Sequence, residues 1–255
     1  MTALMYHDIV ASGAEDTSGF PGRDAALYKV TPETFAAHLA AIKNAHPTPA
    51  AVPITFDDGG KSAMEAAEAL ERHCFIGHFF ITVNYIGTRG FVTEPDLREL
   101  RPRGHVIGSH SCSHPLRMGH CSWTQLREEW TRSREVLAGI LGEDITVASV
   151  PGGDFTPPVA EAAAAAGFTT LFTSEPTRAA RQAFGLTLVG RFTIHRWTPA
   201  ATAAAVAAGK WLPCAGQALV WNAKKIGKHI AGERYLQLRK LLLGHSAEVE
   251  WGDHR

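Results

Sequence analysis

Two short segments carry side chains that can bind and use a metal ion. In TFDDGG, Asp57 and Asp58 stand side by side after an apolar run and are followed by two glycines. In VIGSHSCSHP, His110 and His114 directly follow another apolar run. Two imidazoles and a carboxylate suit a divalent transition metal and leave positions open for water and substrate. The histidine pair alone is a weak signal among 13 histidines, but with the doubled aspartate it predicts a metal site.

The two adjacent aspartates are expected to have different roles. Neighbouring side chains on an extended strand point in opposite directions, so both would rarely bind one ion. At a turn, one carboxylate can bind the metal while its neighbour acts as a base on water. An aspartate pair that only formed a turn and capped the helix near Ser62 would explain one carboxylate but not both. We therefore expect one ligand and one general base.

Short apolar runs alternate with helical segments and would position these residues. Strands are predicted at ALMYHDI, AVPITFD, IGHFFIT, HVIGSH, TVASVP, TTLFTS and LTLVGRFTI. Helices are predicted at PETFAAHLAAIKNA, SAMEAAEALERH, EPDLRELRPRG, SWTQLREEWTRSREVLAGILG, PPVAEAAAAAG and PAATAAAVAAG. This alternation is typical of βα units, so we expect an α/β fold, a distorted or incomplete (β/α)7 barrel in a single domain. In such folds, functional groups collect where strands end.

The chain is expected to divide into a barrel and an extension. Residues 1–212 would form the barrel, and residues 213–255, which include a basic helical stretch, would form a C-terminal helical extension packed on it. Residues 11–29 are rich in Gly, Ser, Asp and Ala without periodicity and predict a long loop after the first strand.

Composition excludes several classes of function. The 255 residues include 25 Lys plus Arg and 25 Asp plus Glu, so no net charge attracts nucleic acid or an anionic membrane. No apolar stretch has the length of a transmembrane segment, and the start MTALMYHDIV lacks the features of a signal peptide. We therefore expect a cytoplasmic protein. The four cysteines form no CxxC pair and are expected to be reduced thiols.

The two aspartate and histidine segments resemble the first two motifs of a known family. TFDDG followed by HSCSH is similar to the polysaccharide deacetylases, carbohydrate esterase family four, which include chitooligosaccharide deacetylases of the NodB type. The similarity in order and spacing runs from about residue 50 to 175. It implies a distorted barrel in which Asp58, His110 and His114 bind zinc or another divalent transition metal. The resemblance also implies that Asp57 is the general base.

The third motif departs from the family. There the family has Arg-x-Pro-Tyr, whereas this chain has SVPGG, in which Pro151 matches and Ser149 and Gly152 do not. The backbone N–H of Gly152 could still stabilise an oxyanion, because a backbone donor does not depend on the side chain. The missing arginine leaves Asp57 without its expected partner. Arg191, from another strand, is the candidate that replaces it.

The general acid is expected at the front of the chain. The late Leu-Leu-His-Asp motif of most family members is absent after residue 175, but ALMYHDI places His7 and Asp8 at the first strand end. This resembles the circularly permuted branch seen among poly-N-acetylglucosamine deacetylases and implies that His7 is the acid. His195, in FTIHRW, is the competing candidate. We expect Pro151, Tyr6 and Asp8 to contact the substrate.

The resemblance implies a metal-dependent deacetylase that hydrolyses the N-acetyl amide of an amino sugar or exopolysaccharide precursor. The motifs leave open an O-acetyl esterase, a deformylase of a small or lipid-linked sugar, and a non-catalytic carbohydrate-binding barrel. A metal-storage protein would not explain Asp57 or His7. Several aromatic residues are compatible equally with sugar stacking and with core packing: Tyr6, Phe20, Tyr28, Phe155 and Trp197.

Overall fold

A computed structural model describes residues 2–45 and 52–223 of the chain. Within these residues the strands are β1 (Ala3–Tyr6), β2 (Ile54–Phe56), β3 (Gly77–Ile81), β4 (Val106–Ser109), β5 (Val147–Ser149), β6 (Thr170–Phe172), β7 (Arg181–Ala183), β8 (Leu186–Val189) and β9 (Arg191–Thr193). The helices are α1 (Arg23–Ala26), α2 (Pro32–Ala45), α3 (Ala63–Arg72), α4 (Glu94–Leu100), α5 (Trp123–Leu141), α6 (Pro157–Ala165) and α7 (Ala200–Ala207). Residues 211–223 are also helical.

The strands form one sheet in the order β7-β8-β6-β5-β4-β3-β2-β1-β9. Every pair is parallel except β7 with β8. The chain passes from β8, which pairs with β6, to β9, which pairs with β1, across the single residue Gly190. Together, β8 and β9 act as one bent strand that pairs with β6 at one end and with β1 at the other. With the six strands β1 to β6, this bent strand makes seven strand positions around a distorted, incomplete barrel. The predicted α/β fold is confirmed.

Gly190 is required at the bend because the backbone of another segment of the chain approaches it closely. A Cβ there would lie 2.4 Å from the Glu175 carbonyl oxygen and 2.1 Å from Thr177 Oγ1. The next residue, Arg191, donates its N–H to the same Glu175 carbonyl at 3.0 Å. The bend therefore determines where Arg191 enters the barrel.

Helix α5 begins and ends at residues that satisfy its free backbone groups. At the start of α5, the Ser122 hydroxyl accepts the Gln125 N–H, and the Gln125 side chain accepts the Ser122 N–H. Gly142 ends the same helix in the left-handed conformation, at φ 70°. The apolar side of α5 is buried, and the Trp130 indole donates to the Val159 carbonyl of α6 at 3.1 Å. These helices cover the outside of the barrel.

The predicted elements are present, with two differences. The segment LTLVGRFTI was expected to be one strand and is divided into β8 and β9, and β7 was not predicted because its residues are largely exposed and lack apolar alternation. The loop at 11–29 contains a 3-10 turn at Glu15–Thr17 and the short helix α1.

The proposed C-terminal extension is described only in part. Residues 211–223 are helical, and Gln217 donates its side-chain N–H to the Thr193 carbonyl of β9 at 3.2 Å. Residues 224–255 lie outside the described part, so the extension stays a prediction there. Among the described residues, no helix has the length and apolar character needed to cross a bilayer.

Candidate metal centre and active site

The candidate residues meet at one edge of the sheet because they follow the carboxyl ends of parallel strands. Tyr6 pairs with Phe56, which sets His7 level with Asp57 at the ends of β1 and β2. Ser109 pairs with Ala148, so His110, which follows β4, lies level with Ser149 at the end of β5. This is the edge where barrel folds assemble their functional groups.

Asp58, His110 and His114 converge on one point. Asp58 Oδ1 lies 3.4 Å from His110 Nε2 and 3.4 Å from His114 Nε2. One ligand atom from each residue lies within 4.8 Å of the other two. Tetrahedral zinc bonds of about 2.0–2.2 Å separate neighbouring ligand atoms by roughly 3.3–3.6 Å. The three side chains therefore fit a divalent metal ion.

The backbone at this centre adopts conformations that non-glycine residues rarely hold. Asp58, Ser111 and His114 have φ values of 74°, 66° and 57°. Such left-handed residues cost on the order of 1–3 kcal/mol each and persist only where surrounding structure holds them. The left-handed turn at Asp58 gives it a different direction from Asp57. The strained residue Asp58 is therefore the one at which the two carboxylates diverge.

His110 is held so that one ring nitrogen is free for a metal. Its Nδ1 lies 3.1 Å from the Ser149 carbonyl oxygen and 2.5 Å from the Ser149 hydroxyl. A carbonyl oxygen can only accept, so Nδ1 carries a proton, and Nε2, which faces Asp58, is the nitrogen that a metal ion would bind. The Ser149 hydroxyl also donates to Asp57 Oδ1 at 3.1 Å. Ser149 thus contacts both a candidate ligand and the candidate base.

Arg191 is the partner of Asp57, at the position where the sequence suggested a replacement for the missing arginine. Its Nη1 and Nη2 donate to Asp57 Oδ1 and Oδ2 at 2.6 and 2.8 Å. The guanidinium is 0% exposed and also donates to the Thr173 carbonyl and the Thr55 hydroxyl at 3.1 and 3.0 Å. This bidentate geometry fixes the plane of the carboxylate.

The charges around the aspartates favour their ionised forms. Burial alone would raise the pKa of Asp57, but the Arg191 guanidinium and then His110 bring that pKa below its usual value. For Asp58, burial is again opposed, here by His110, His7 and His114, and the pKa falls well below its usual range. Burial lowers the pKa of His114, although Asp58 opposes this. Ionised carboxylates and a neutral imidazole are the forms that bind metals.

The loop between the two histidines is held by Glu129 of α5. One carboxylate oxygen, Oε2, accepts the N–H groups of Cys112 and Ser113 at 2.8 and 2.9 Å. The other oxygen accepts the Ser113 hydroxyl at 2.6 Å. The Ser111 hydroxyl then accepts the His114 N–H at 3.1 Å. Glu129 was not identified from the sequence, where it is one of many acidic residues on a long helix.

His7 lies beside the carboxylates at the end of β1. It is near enough for its charge to lower the pKa of both Asp57 and Asp58. Its ring packs on Tyr28 with centroids 4.9 Å apart, and its Nδ1 is buried with no hydrogen-bond partner among the described residues. His195 lies on Tyr28 as well, at 5.2 Å. Tyr28 thus contacts both candidate acids.

Other expected contact residues lie in the interior. Tyr6 is 0% exposed and its hydroxyl lies 3.1 Å from His38 Nδ1. Asp8 is 1% exposed and accepts the hydroxyls of Ser18 and Ser62 at 2.6 and 2.8 Å. Tyr6 ends β1 and packs in the core, whereas Asp8 follows the strand and is covered by the loop that carries Ser18. No surface of Tyr6 or Asp8 is therefore open to a substrate here.

The two third-motif residues sit in a 3-10 turn after β5. Pro151 is buried, and Gly152 has a φ of 60°, with the Leu116 carbonyl oxygen 3.3 Å from the place of a Cβ. This conformation favours glycine, which stands here in place of the family's tyrosine. The turn brings the Gly152 backbone next to the loop that follows His114.

The family model for polysaccharide deacetylases matches residues 44–171 of this chain. The chain belongs to the polysaccharide deacetylase family. The family consists of hydrolases that remove acetyl groups from carbohydrates. YxkH of Bacillus subtilis, named for the same family, is 26% identical over 161 residues, or 63% of this chain. That match spans 55% of the length of YxkH.

Several solved structures share the fold of this family member. PplD of Streptococcus pyogenes, in complex with acetate, is 20% identical with a TM-score of 0.64, covering 78% of this chain and 94% of that one. IcaB of Ammonifex degensii is 20% identical with a TM-score of 0.63, covering 82% and 97%. BC0361 of Bacillus cereus is 20% identical with a TM-score of 0.67, covering 80% and 68%. These similarities support the distorted barrel.

Proposed function

We propose that this polysaccharide deacetylase is metal-dependent and hydrolyses the N-acetyl amide of an amino sugar or exopolysaccharide precursor. The observation that carries the proposal is the convergence of Asp58, His110 and His114 beside Asp57, whose carboxylate is held by Arg191. The donor set of two imidazoles and one carboxylate fits zinc. A divalent ion held there would polarise the acetyl carbonyl and make water more acidic.

Asp57 is the general base in this proposal, and its free lone pairs indicate which oxygen acts. Oδ1 accepts from both Arg191 and Ser149, whereas Oδ2 accepts from Arg191 alone. Oδ2 is also the atom on the side of the metal ligands, 4.0 Å from His110 Nε2. Because a carboxylate oxygen has about two acceptor positions, Oδ2 retains one for the proton of the attacking water.

His7 and Gly152 complete the proposed site. Nδ1 of His7 is buried against the protein, which leaves Nε2 to donate a proton to the departing amine. The Gly152 N–H would donate to the oxyanion that forms when water adds to the acetyl carbon. Pro151 fixes the turn that carries this N–H. Protonation matters because an amine leaves far more readily than an amide anion.

The test is acetate release from N-acetylglucosamine oligomers by zinc-loaded protein, before and after chelation and again after zinc is restored. We expect release to disappear with chelator and return with zinc. Release that is unchanged in metal-free protein would contradict the proposal, as would no release from protein with zinc bound at one ion per chain. If acetate were released only from an O-acetylated sugar, the enzyme would be an O-acetyl esterase and not an N-deacetylase.

A matched pair of variants connects the metal to the proposed ligands. His114→Ala removes one ligand, whereas His120→Ala removes an exposed histidine six residues further along the same segment. We expect the first variant to lose bound zinc and the second to retain it. Equal zinc content in both variants would show that the ion binds elsewhere.

A further inference from the structure

Four aromatic rings form a row that leads from the candidate acid to the surface. His7 packs on Tyr28 with centroids 4.9 Å apart, Tyr28 on His195 at 5.2 Å, and His195 on Trp197 at 5.0 Å. The first ring lies beside the catalytic carboxylates, and the last ring belongs to a residue that is 61% exposed. The row therefore connects the site to an exposed aromatic surface.

The exposed ring is held in place before any ligand arrives. Trp197 is stacked on His195 with only 14° between the ring planes. Between them the chain forms a tight turn, in which the Thr198 hydroxyl accepts the His195 N–H at 3.0 Å and the Thr198 N–H reaches the His195 carbonyl at 2.9 Å. Arg196 donates its N–H to the Leu27 carbonyl at 2.9 Å, which joins this turn to the segment of Tyr28.

A fixed, flat and exposed indole suits the face of a sugar ring. A pyranose presents C–H groups on its faces and hydroxyls around its edge. An aromatic ring can therefore bury the C–H groups while the hydroxyls stay hydrated. A stacked ring gives up little conformational entropy on binding, since its side chain is already ordered. Trp197 thus has the chemistry of a sugar-binding surface, at the outer end of the row that begins at His7.

We propose that Trp197 forms a stacking subsite for a further sugar unit of the chain whose acetyl group is removed at Asp57 and His7. This inference rests on the proposed function and adds a specificity-determining residue to it, because contact with Trp197 would make binding and turnover depend on the length of the sugar chain. His195 supports the subsite by holding the Trp197 ring, which gives the competing acid candidate a positioning role.

The test uses two tryptophans of similar exposure. Trp197→Ala removes the subsite, and Trp211→Ala removes a tryptophan that is 68% exposed on the following helical segment. Binding of N-acetylglucosamine monomer and tetramer to metal-free protein is measured by calorimetry, and acetate release from both sugars is measured with zinc-loaded protein. Trp197→Phe retains a flat apolar face and serves as the conservative variant.

We expect wild-type protein to prefer the tetramer and Trp197→Ala to lose roughly ten-fold of that preference in both binding and kcat/KM. Trp211→Ala should match wild type, and Trp197→Phe should recover most of the preference. Length-dependent binding without acetate release would overturn the proposed hydrolysis and leave the subsite intact. Equal tetramer binding by wild type and Trp197→Ala, or no tetramer binding by wild type, would overturn the subsite.

Discussion

At the scale of single residues, the central arrangement is a buried carboxylate held by one arginine. Asp57 accepts two hydrogen bonds from Arg191 and one from Ser149, so both its orientation and its charge are determined by the protein. The family's usual arginine corresponds to the position of Ser149, whose hydroxyl donates a hydrogen bond to Asp57 but carries no charge. Arg191 supplies that charge from β9, which lies next to β1.

Replacing Arg191 should affect both rate and pH dependence. Arg191→Lys keeps a charge but loses the paired hydrogen bonds, so we expect kcat to fall by about 10- to 100-fold. Arg191→Met removes the positive charge that opposes the effect of burial on Asp57, so the pKa of the Asp57 carboxyl should rise. A base with a higher pKa is protonated sooner as pH falls, so the acidic limb of kcat/KM should move to higher pH. Unchanged turnover in both variants would remove Arg191 from the account.

The two candidate acids can be separated by substitution. His7→Ala should lower kcat by about 10²- to 10⁴-fold while zinc content is retained, because His7 is not a proposed ligand. His195→Ala should cause a smaller loss, since it acts through Tyr28 and Trp197. Zinc content and acetate release measured on the same samples provide the comparison. A larger loss of kcat in His195→Ala than in His7→Ala would reverse the assignment.

At the scale of elements, long-range contacts hold the short loops that carry the ligands. Glu129 of α5 bonds two backbone N–H groups and a hydroxyl in the loop between His110 and His114. Gly190 allows the bend from which Arg191 enters the barrel. Neither residue contacts the candidate metal position, yet each determines where a site residue lies.

Glu129→Ala should weaken zinc binding by about 10- to 100-fold, since the loop loses the acceptors for its three donors. Glu128→Ala, one position earlier and exposed, should leave zinc affinity at the wild-type value. Glu129→Gln, which retains one acceptor oxygen, should fall between them. Competition against a chromogenic chelator measures each affinity. Equal affinity in Glu129→Ala and Glu128→Ala would show that the loop holds its shape without Glu129.

Gly190→Ala should destabilise the barrel by roughly 1–3 kcal/mol, because its Cβ would collide with the Glu175 carbonyl. Gly139→Ala is the control, since a Cβ there meets nothing within 4 Å in the interior of α5. We expect that substitution to stabilise the helix by about 0.5–1 kcal/mol. Thermal unfolding gives both values. A melting temperature for Gly190→Ala equal to wild type would show that the bend tolerates a side chain.

At the scale of the whole molecule, the sequence points to those candidate residues whose position depends on local order. Asp58 and the two histidines follow predicted strands within recognisable motifs, and parallel strands then bring their ends together. The role of Ser149 was missed because its contacts involve side chains from two other strands. Glu129 was missed because nothing local distinguishes it from its acidic neighbours. Tyr6 and Asp8 were expected to contact the substrate, but Tyr6 is buried in the core and Asp8 is buried beneath the loop that carries Ser18.

The most direct test of the two aspartate roles is to measure bound zinc and acetate release on the same samples of Asp57→Asn and Asp58→Asn. We predict that Asp57→Asn keeps one zinc per chain and loses at least about 100-fold in kcat, because it lacks the base but not a ligand. Asp58→Asn should lose zinc and activity together. Near-normal turnover in Asp57→Asn, or undiminished zinc affinity in Asp58→Asn, would contradict the division of labour between the two carboxylates.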